Sequence, residues 1–411
     1  MRIGIIATEF PPDVGGMQVM ALRLATHLAK SHEVLVCCTA RTPRETYLGF
    51  QVLANLRGRT EADVAALRGV DARVDVWLAM NAGYSAIASK LRKPLIVYFH
   101  GNDFLNPWVI SAPLLLKLLS KFPLIGKTWY DKRRAFTKRQ IGTGLLSTAK
   151  ILTNSNHTKA LIQEQYPHCQ MVFVCPPGVE ERFFENALTD QESSILNLLT
   201  VCRLQKGSRR KNVAGVLHAL ASLRDKLKFT YAIVGDGDDL ENLKSLRNKL
   251  GLAEQVIFLG RVSDRDLLEL YRCASLFVLP AQSSALDVEG FGIVYLEANA
   301  AGVPVLCSAA GGATDAVIDG QTGIILPSSE PERIAQGILH FVQFRSTYNR
   351  NRLRQFASNF KWAIRAAEIE SQILSVLQSL DVKPQAIVGD PTATLQKATK
   401  VYTSLKVAMR N

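Results

Sequence analysis

The sequence predicts an α/β protein of two doubly wound, Rossmann-like domains facing a central cleft. Three observations predict it. Short β-branched apolar runs alternate with helical patterns along most of the 411 residues, the signature of parallel sheets covered by helices. Two such series occur, each large enough for its own core. Pro176-Pro177-Gly178 and the polar stretch through Ser194 separate them.

In the first half, apolar runs of strand length place strands at residues 3–8, 34–39, 74–79, 95–100, 151–154 and 171–175, with a helix over 18–29. In the second half the strands fall at 198–203, 230–234, 256–259, 276–279, 303–307 and 323–326. Helices follow over 214–223, 239–250, 264–273 and 293–301. Two regions depart from this alternation. Residues 105–140 read as helical, apolar and basic together, with Leu114, Leu115, Leu116, Leu118 and Leu119 beside Lys117 and Lys121, then Lys132, Arg133 and Arg134. After Asp381 a polar linker with Pro384 and Pro391 leads into a short basic helix.

Composition narrows the function. Hydrophobic residues make up 47% and charged residues 21%, which excludes a mostly disordered, collagen-like or disulfide-scaffold chain. No run approaches the roughly 18 apolar residues of a membrane-spanning helix. Arg2, then a short strand-like run and Glu9, do not resemble a signal peptide. The seven cysteines, at 37, 38, 169, 175, 202, 273 and 307, lack zinc spacing and lie mostly in apolar runs. They are expected to be reduced core residues of a cytoplasmic protein, with no metal site. The net charge of +13 attracts phosphates: nucleic acid, nucleotides or an anionic membrane face. From Phe104 through Lys150, nine Lys/Arg stand against one acid, Asp131. Beyond Asp390, Lys397, Lys400, Lys406 and Arg410 meet no acid.

The most informative stretch runs from Asp287 to Ala298. Glu289 sits in a loop, Gly290 and Gly292 permit close backbone approach, and a helix then begins that carries Glu297. Amides at a helix start are a seat for a diphosphate. A carboxylate inside the helix can accept both hydroxyls of a ribose, and the loop carboxylate can hold a sugar hydroxyl. The competing reading is a helix cap plus an internal ion pair. Arg203 ends a strand and leads into Gln205-Lys206-Gly207-Ser208-Arg209-Arg210-Lys211-Asn212, basic groups at a sheet edge where ligands bind in open α/β folds. A solvated basic loop is the alternative. Gly235-Asp236-Gly237 ends another strand without the third glycine of a dinucleotide fingerprint. Gly15-Gly16 precede the first helix, and His100-Gly101-Asn102-Asp103 close the strand at 95–100. Serine-hydrolase, zincin and P-loop motifs are missing.

In this order, with Glu9-Phe10-Pro11-Pro12, Thr153-Asn154-Ser155, Pro176-Pro177-Gly178-Val179, Gly311-Gly312 and Asp319-Gly320-Gln321-Thr322-Gly323, the motifs resemble glycosyltransferase family 4. These are retaining enzymes of the GT-B fold, and the resemblance covers residues 1–375. The wording around residues 286–301 is similar to that of bacterial mannosyltransferases that build phosphatidylinositol mannosides. The resemblance implies an acceptor-side domain at 1–180, a nucleotide-sugar domain at 181–358, a helix over 359–380 crossing back to the first domain from Phe360-Lys361-Trp362, and a basic tail at 381–411. It implies that Arg203 and Lys211 hold the diphosphate and that Glu297 binds the ribose. Glu289 and the amides of Phe291, Gly292 and Ile293 would hold the donor sugar. Backbone near Arg261 and Val262 would meet the base, with Gly235 lining the nucleotide site. His100 would lie near the transferred sugar, and Gly15 and Gly16 near the phosphate and acceptor. The family places its Lys about five residues after the Arg, whereas Lys211 lies eight after Arg203 and Lys206 three after. The insertion 207–210 accounts for the spacing and leaves Lys206 and Lys211 both open.

The implied activity is metal-independent transfer of a hexose, mannose favoured, from a nucleotide sugar, GDP-mannose favoured over a UDP-sugar. The acceptor would be a glycan or lipid-linked molecule of the bacterial envelope. No separate cofactor is expected. The rivals are a GT-B-fold nucleotide-sugar epimerase, a UDP-sugar transferase acting on a soluble acceptor, and a nucleic-acid binder. The basic, leucine-rich segment places the protein peripherally on the inner face of the cytoplasmic membrane, against an alternative in which those leucines fill the first domain's core.

Overall fold

The computed structural model describes residues 1–11, 15–39, 46–47, 49–58, 60–107, 123–185 and 194–381. The first lobe is built on eight strands: β1 (Arg2–Ala7), β2 (Glu33–Cys38), β3 (Thr46–Tyr47), β4 (Phe50–Leu53), β5 (Val76–Ala79), β6 (Leu95–Phe99), β7 (Lys150–Thr153) and β8 (Val172–Val174). Their order is β3-β4-β2-β1-β5-β6-β7-β8. All pairs are parallel except the β3–β4 hairpin. Every residue of β5 and β6 is buried, because helices cover both faces, so these strands read as unbroken apolar runs. At Gly4 a side chain would collide with the Trp77 ring. Glycine there lets the indole lie flat on β1 while its Nε1 donates to Asp71 at 2.8 Å.

The second lobe has six strands, β9 (Leu196–Val201), β10 (Phe229–Val234), β11 (Val256–Gly260), β12 (Leu276–Leu279), β13 (Val305–Ser308) and β14 (Gly323–Leu326). They lie in the order β11-β10-β9-β12-β13-β14, all parallel. In each sheet the chain reverses its direction of winding, between β1 and β5 and between β9 and β12. Ligands of open α/β sheets bind beyond the carboxyl ends of strands at such points. Both lobes are therefore Rossmann-like, as the alternation of elements predicts.

A helix over Trp362–Asp381 crosses back to the first lobe. Trp362 lies against Gly178, where a Cβ would strike the indole, and its ring stacks on His27 at 6.1 Å. Farther along, Glu370 meets His32 Nε2 at 2.7 Å, and Lys150 Nζ donates to Gln372 at 3.0 Å. Both sheets belong to one compact unit, Met1–Ile373, and Leu374–Asn411 forms a second.

Several elements escape the sequence pattern: β3, β4 and the helices Thr60–Val70, Pro331–Phe344 and Arg350–Ser358. Within the segment expected to be helical over 105–140, the described residues form the helices Asn102–Leu105 and Pro123–Leu145, and residues 108–122 lie outside the described residues. The leucine cluster with Lys117 and Lys121, and the basic tail with Lys397, Lys400, Lys406 and Arg410, lie outside the described residues. No disulfide joins the seven cysteines, and five of them are buried.

Candidate active site

The two lobes touch backbone to backbone at Gly290, where a Cβ would collide with the His100 carbonyl; within the second lobe, one at Gly312 would strike the Gly290 carbonyl. Asn102, at the end of β6, spans the gap. Its Nδ2 donates to Asp287 Oδ1 at 2.6 Å, and its Oδ1 accepts from the Val288 amide at 2.9 Å. Asn154 Nδ2 donates to the His100 carbonyl at 3.1 Å.

Beyond β9 the chain forms a 3-10 segment, Lys206–Lys211, held at both ends. The Lys206 amide donates to Asp238 at 2.7 Å, and Arg209 grips Asp239 with two nitrogens at 2.8 and 2.5 Å. Asn212 closes the segment in the left-handed region at φ 59°, the only non-glycine residue with positive φ among the described residues. Its Nδ2 donates to the Ser329 carbonyl at 2.7 Å. This bracket leaves Lys206 exposed and turns Arg210 and Lys211 inward onto Glu289. Arg210 Nη1 lies 2.7 Å and Lys211 Nζ 2.5 Å from Glu289 Oε2. Arg210 Nε also meets Asp287 Oδ1 at 2.7 Å. Burial alone would raise the Glu289 carboxyl, but Lys211 and Arg210 outweigh it and bring it down to about 2. Glu289 is therefore a buried carboxylate that is ionised near neutrality.

Glu297 behaves oppositely. It lies in the helix Ile293–Ala300, entered through Gly292 at φ 89°, and accepts from the Tyr271 hydroxyl at 3.0 Å. Burial pushes its carboxyl up to about 7; Glu180 adds to the rise, while the Tyr271 hydrogen bond and Arg182 oppose it. The two glutamates, eight residues apart, thus differ in charge near neutrality because their neighbours differ.

His100 stands at the carboxyl end of β6. Burial lowers its imidazole to about 4 against an opposing backbone hydrogen bond with Met80, so the ring is neutral at physiological pH. Its Nε2 is buried without a hydrogen-bond partner. Asp103 fixes the turn beneath it, accepting from the amides of His100 at 3.0 Å and Ala82 at 2.8 Å. Burial raises Asp103 to about 6. Gly15 caps the helix Gly16–Leu28, and space beside Gly16 is open. Gly235 has φ 137°, and a Cβ there would strike the Cys202 carbonyl. Arg261 is exposed with Nε 3.9 Å from Asp236, and Val262 is half-buried beside it.

The structure brings Glu289 and Lys211 together and leaves Arg203 exposed, without a hydrogen bond or ion pair among the described residues. Sequence reasoning missed Arg210 and Tyr271. Arg210 reads as part of a solvated run, and its only signal is adjacency to Lys211. The described residues hold no cluster of His, Cys, Asp and Glu fit for a metal ion.

Two facing Rossmann-like lobes, each an open parallel sheet that reverses its winding, are the architecture of a glycosyltransferase of the GT-B fold. The comparisons agree. The Glycosyltransferase Family 4 description matches residues 14–183, and Glycosyl transferases group 1 matches residues 190–360. A GDP-mannose-dependent alpha-(1-6)-phosphatidylinositol monomannoside mannosyltransferase of Mycobacterium tuberculosis is 32% identical over 363 residues, covering 82% of this chain and 88% of the relative. The enzyme of that name from Mycolicibacterium smegmatis is 27% identical, covering 81% and 87%. Among solved structures, the sucrose-phosphate synthase of Thermosynechococcus elongatus superposes at a TM-score of 0.74 and 17% identity, covering 92% of this chain and 99% of that one. Anabaena HepE in complex with UDP gives 0.71 and 20%, covering 91% and 100%. The fold is GT-B, and the chain belongs to glycosyltransferase family 4.

Proposed function

We propose that this glycosyltransferase moves mannose from GDP-mannose to a lipid-linked acceptor with retention of configuration and without a metal ion. The observation that carries the reading is Glu289, a buried anion between Arg210 and Lys211 and eight residues before Glu297, whose carboxyl is raised to about 7. Glu297 would accept the ribose hydroxyls, and Glu289 a hydroxyl of the sugar. Lys211 and Arg203 would stabilise charge on the departing diphosphate, the duty a metal performs elsewhere. As the glycosidic bond lengthens, the acceptor hydroxyl attacks from the leaving-group face and the phosphate takes its proton. The neutral His100, with its free buried Nε2, would hydrogen-bond the transferred sugar. The division into 1–180, 181–358, 359–380 and 381–411 follows from this reading, with the hinge at Pro176-Pro177-Gly178.

The donor preference rests on the GDP-mannose-dependent relatives. A thermal-shift series with GDP-, UDP- and ADP-sugars tests it: GDP-mannose should raise the melting temperature most. A larger rise with a UDP-sugar would replace the donor.

We further propose that the enzyme works peripherally at the inner face of the cytoplasmic membrane. Within the helix Pro123–Leu145, Trp129, Tyr130 and Phe136 are exposed near Lys132, Arg133 and Arg139. Aromatic and basic groups on one helix suit an anionic interface. No helix of the described residues is long and apolar enough to cross a membrane.

A further inference from the structure

Arg210 uses two nitrogens on two different carboxylates: Nε on Asp287 Oδ1 and Nη1 on Glu289 Oε2, each at 2.7 Å. Its side chain is 16% exposed, and its carbonyl accepts from the Gln282 amide at 2.6 Å, so both backbone and side chain are fixed. Asp287 Oδ1 accepts in addition from Asn102 Nδ2, which belongs to the first lobe. An unbroken chain of contacts therefore runs from Asn102 through Asp287 and Arg210 to Glu289. Lys211 shares the same Glu289 oxygen but has no second carboxylate to hold it among the described residues. When a diphosphate competes for cations, Lys211 is the freer of the two. Arg210 would have to abandon two carboxylates at once, the buried Glu289 and the half-buried Asp287, and leaving the buried one short of a cation is costly.

We propose that Arg210 is a positioning residue of the transfer site, staying between Asp287 and Glu289 while Lys211 turns to the diphosphate, and tying the placement of Glu289 to Asn102 on the opposite lobe. This rests on the reading that Glu289 faces the donor sugar. Its consequence is that Glu289 is correctly aimed only when the lobes are together. A planar guanidinium fork can span the two carboxylates, and an ammonium cannot do so equally well.

The test uses full-length Arg210→Gln, Arg210→Lys, Asn102→Ala and the Arg210→Gln/Asn102→Ala double variant. The sugar nucleotide is the one that most stabilises the wild-type protein, and its hydrolysis without acceptor gives the turnover. Calorimetry with the matching nucleoside diphosphate gives the affinity. Arg210→Gln should lower kcat about tenfold to a hundredfold and change the diphosphate Kd by less than about threefold, with Arg210→Lys intermediate. Asn102→Ala should cost several-fold alone and almost nothing further in the Arg210→Gln background.

The pH profile supplies a second readout. The charged and titratable groups around Glu289 are Lys211, Arg210, Asp287, Tyr295 and Cys202, with His100 adjoining Gly290. Tyr295 and Cys202 are pushed up by burial and stay protonated in acid. Losing one cation should therefore move the acid limb of turnover to higher pH in Arg210→Gln. Equal weakening of diphosphate binding by Arg210→Gln and Lys211→Ala would overturn the proposal and make Arg210 a phosphate ligand. Additive losses with Asn102→Ala would overturn it too. Failure of the underlying site reading is distinguishable, since Glu289→Ala would then keep wild-type turnover.

Discussion

Asp315 caps a helix that belongs to the opposite lobe. One carboxylate oxygen accepts from the Asn156 amide at 2.9 Å and from its side chain at 2.6 Å, and the other accepts from the His157 amide at 3.4 Å. The helix Asn156–Gln165 already has its own cap, Ser155 Oγ accepting from the Thr158 amide. The second carboxylate thus serves the helix dipole and the contact between lobes together. A cap is worth about 1 kcal/mol, so Asp315→Ala should speed hydrogen exchange at Asn156 and His157 roughly fivefold. Unchanged exchange at both amides would show that the contact does not form in solution.

The two glutamates should fail in different ways. Glu297→Ala should chiefly weaken nucleotide binding, and Glu289→Ala should chiefly lower turnover at saturating donor. Each effect should be about tenfold to a hundredfold, the loss expected for one charge-assisted hydrogen bond. Steady-state kinetics beside nucleotide titrations separate the two. Wild-type values in both variants would make the pair structural.

The raised Glu297 carboxyl makes stability depend on pH with a definite sign. Its ordinary value is 4.5 and its folded value about 7, so between these limits the folded chain binds more protons than the unfolded one. This contribution is fully present below about 4.5 and is lost as pH rises to about 7. Urea unfolding of Glu297→Gln should lack that fall, so the difference between variant and wild type should grow with pH across the window. The nucleotide, which would bind the carboxylate form, should bind wild type more tightly as pH rises through 7.

The basic residues near the diphosphate seat should divide by position. Arg203→Ala and Lys211→Ala should depress turnover even at saturating donor. Lys206→Ala should leave it within about twofold, because Lys206 points to solvent outside the bracket closed by Asp238 and Asp239. A larger loss at Lys206 than at Lys211 would transfer the role.

Vesicle sedimentation addresses the membrane proposal. Anionic liposomes should pull the protein down at low salt and release it as salt rises, each basic contact contributing about 1 kcal/mol. Replacing Lys132, Arg133 and Arg134 with Glu should abolish this while nucleotide binding persists. Equal behaviour with neutral and anionic vesicles would favour a soluble acceptor.

The strands that were legible in the sequence are the ones buried on both faces. The five residues of β6 and four of β12 are apolar without interruption, and no helix pattern competes with them. The β3–β4 hairpin was not legible, because strands of two and four residues are too short to carry a period. At the site, Glu289 and Glu297 stood out because glycines separate them and a helix starts between them. Arg210 did not, because three consecutive basic residues read as a solvated face until the fold buries the second and third. The Asn102–Asp287 contact joins residues 185 apart, and no local property of either one announces the other.

The bracket from Lys206 to Asn212 also bears on how this family tolerates change in length. Because Asp238 and Asp239 grip one end and Ser329 holds the other, Lys211 owes its place to these anchors and not to its distance from Arg203. Residues added between the grips bulge into solvent, and around Gly207 a new side chain would meet nothing within 4 Å. Lengthening such a loop costs little entropy. The bend at Gly207 is consequently a natural port for grafting a fluorophore or affinity tag beside the reaction centre while both cations keep their aim.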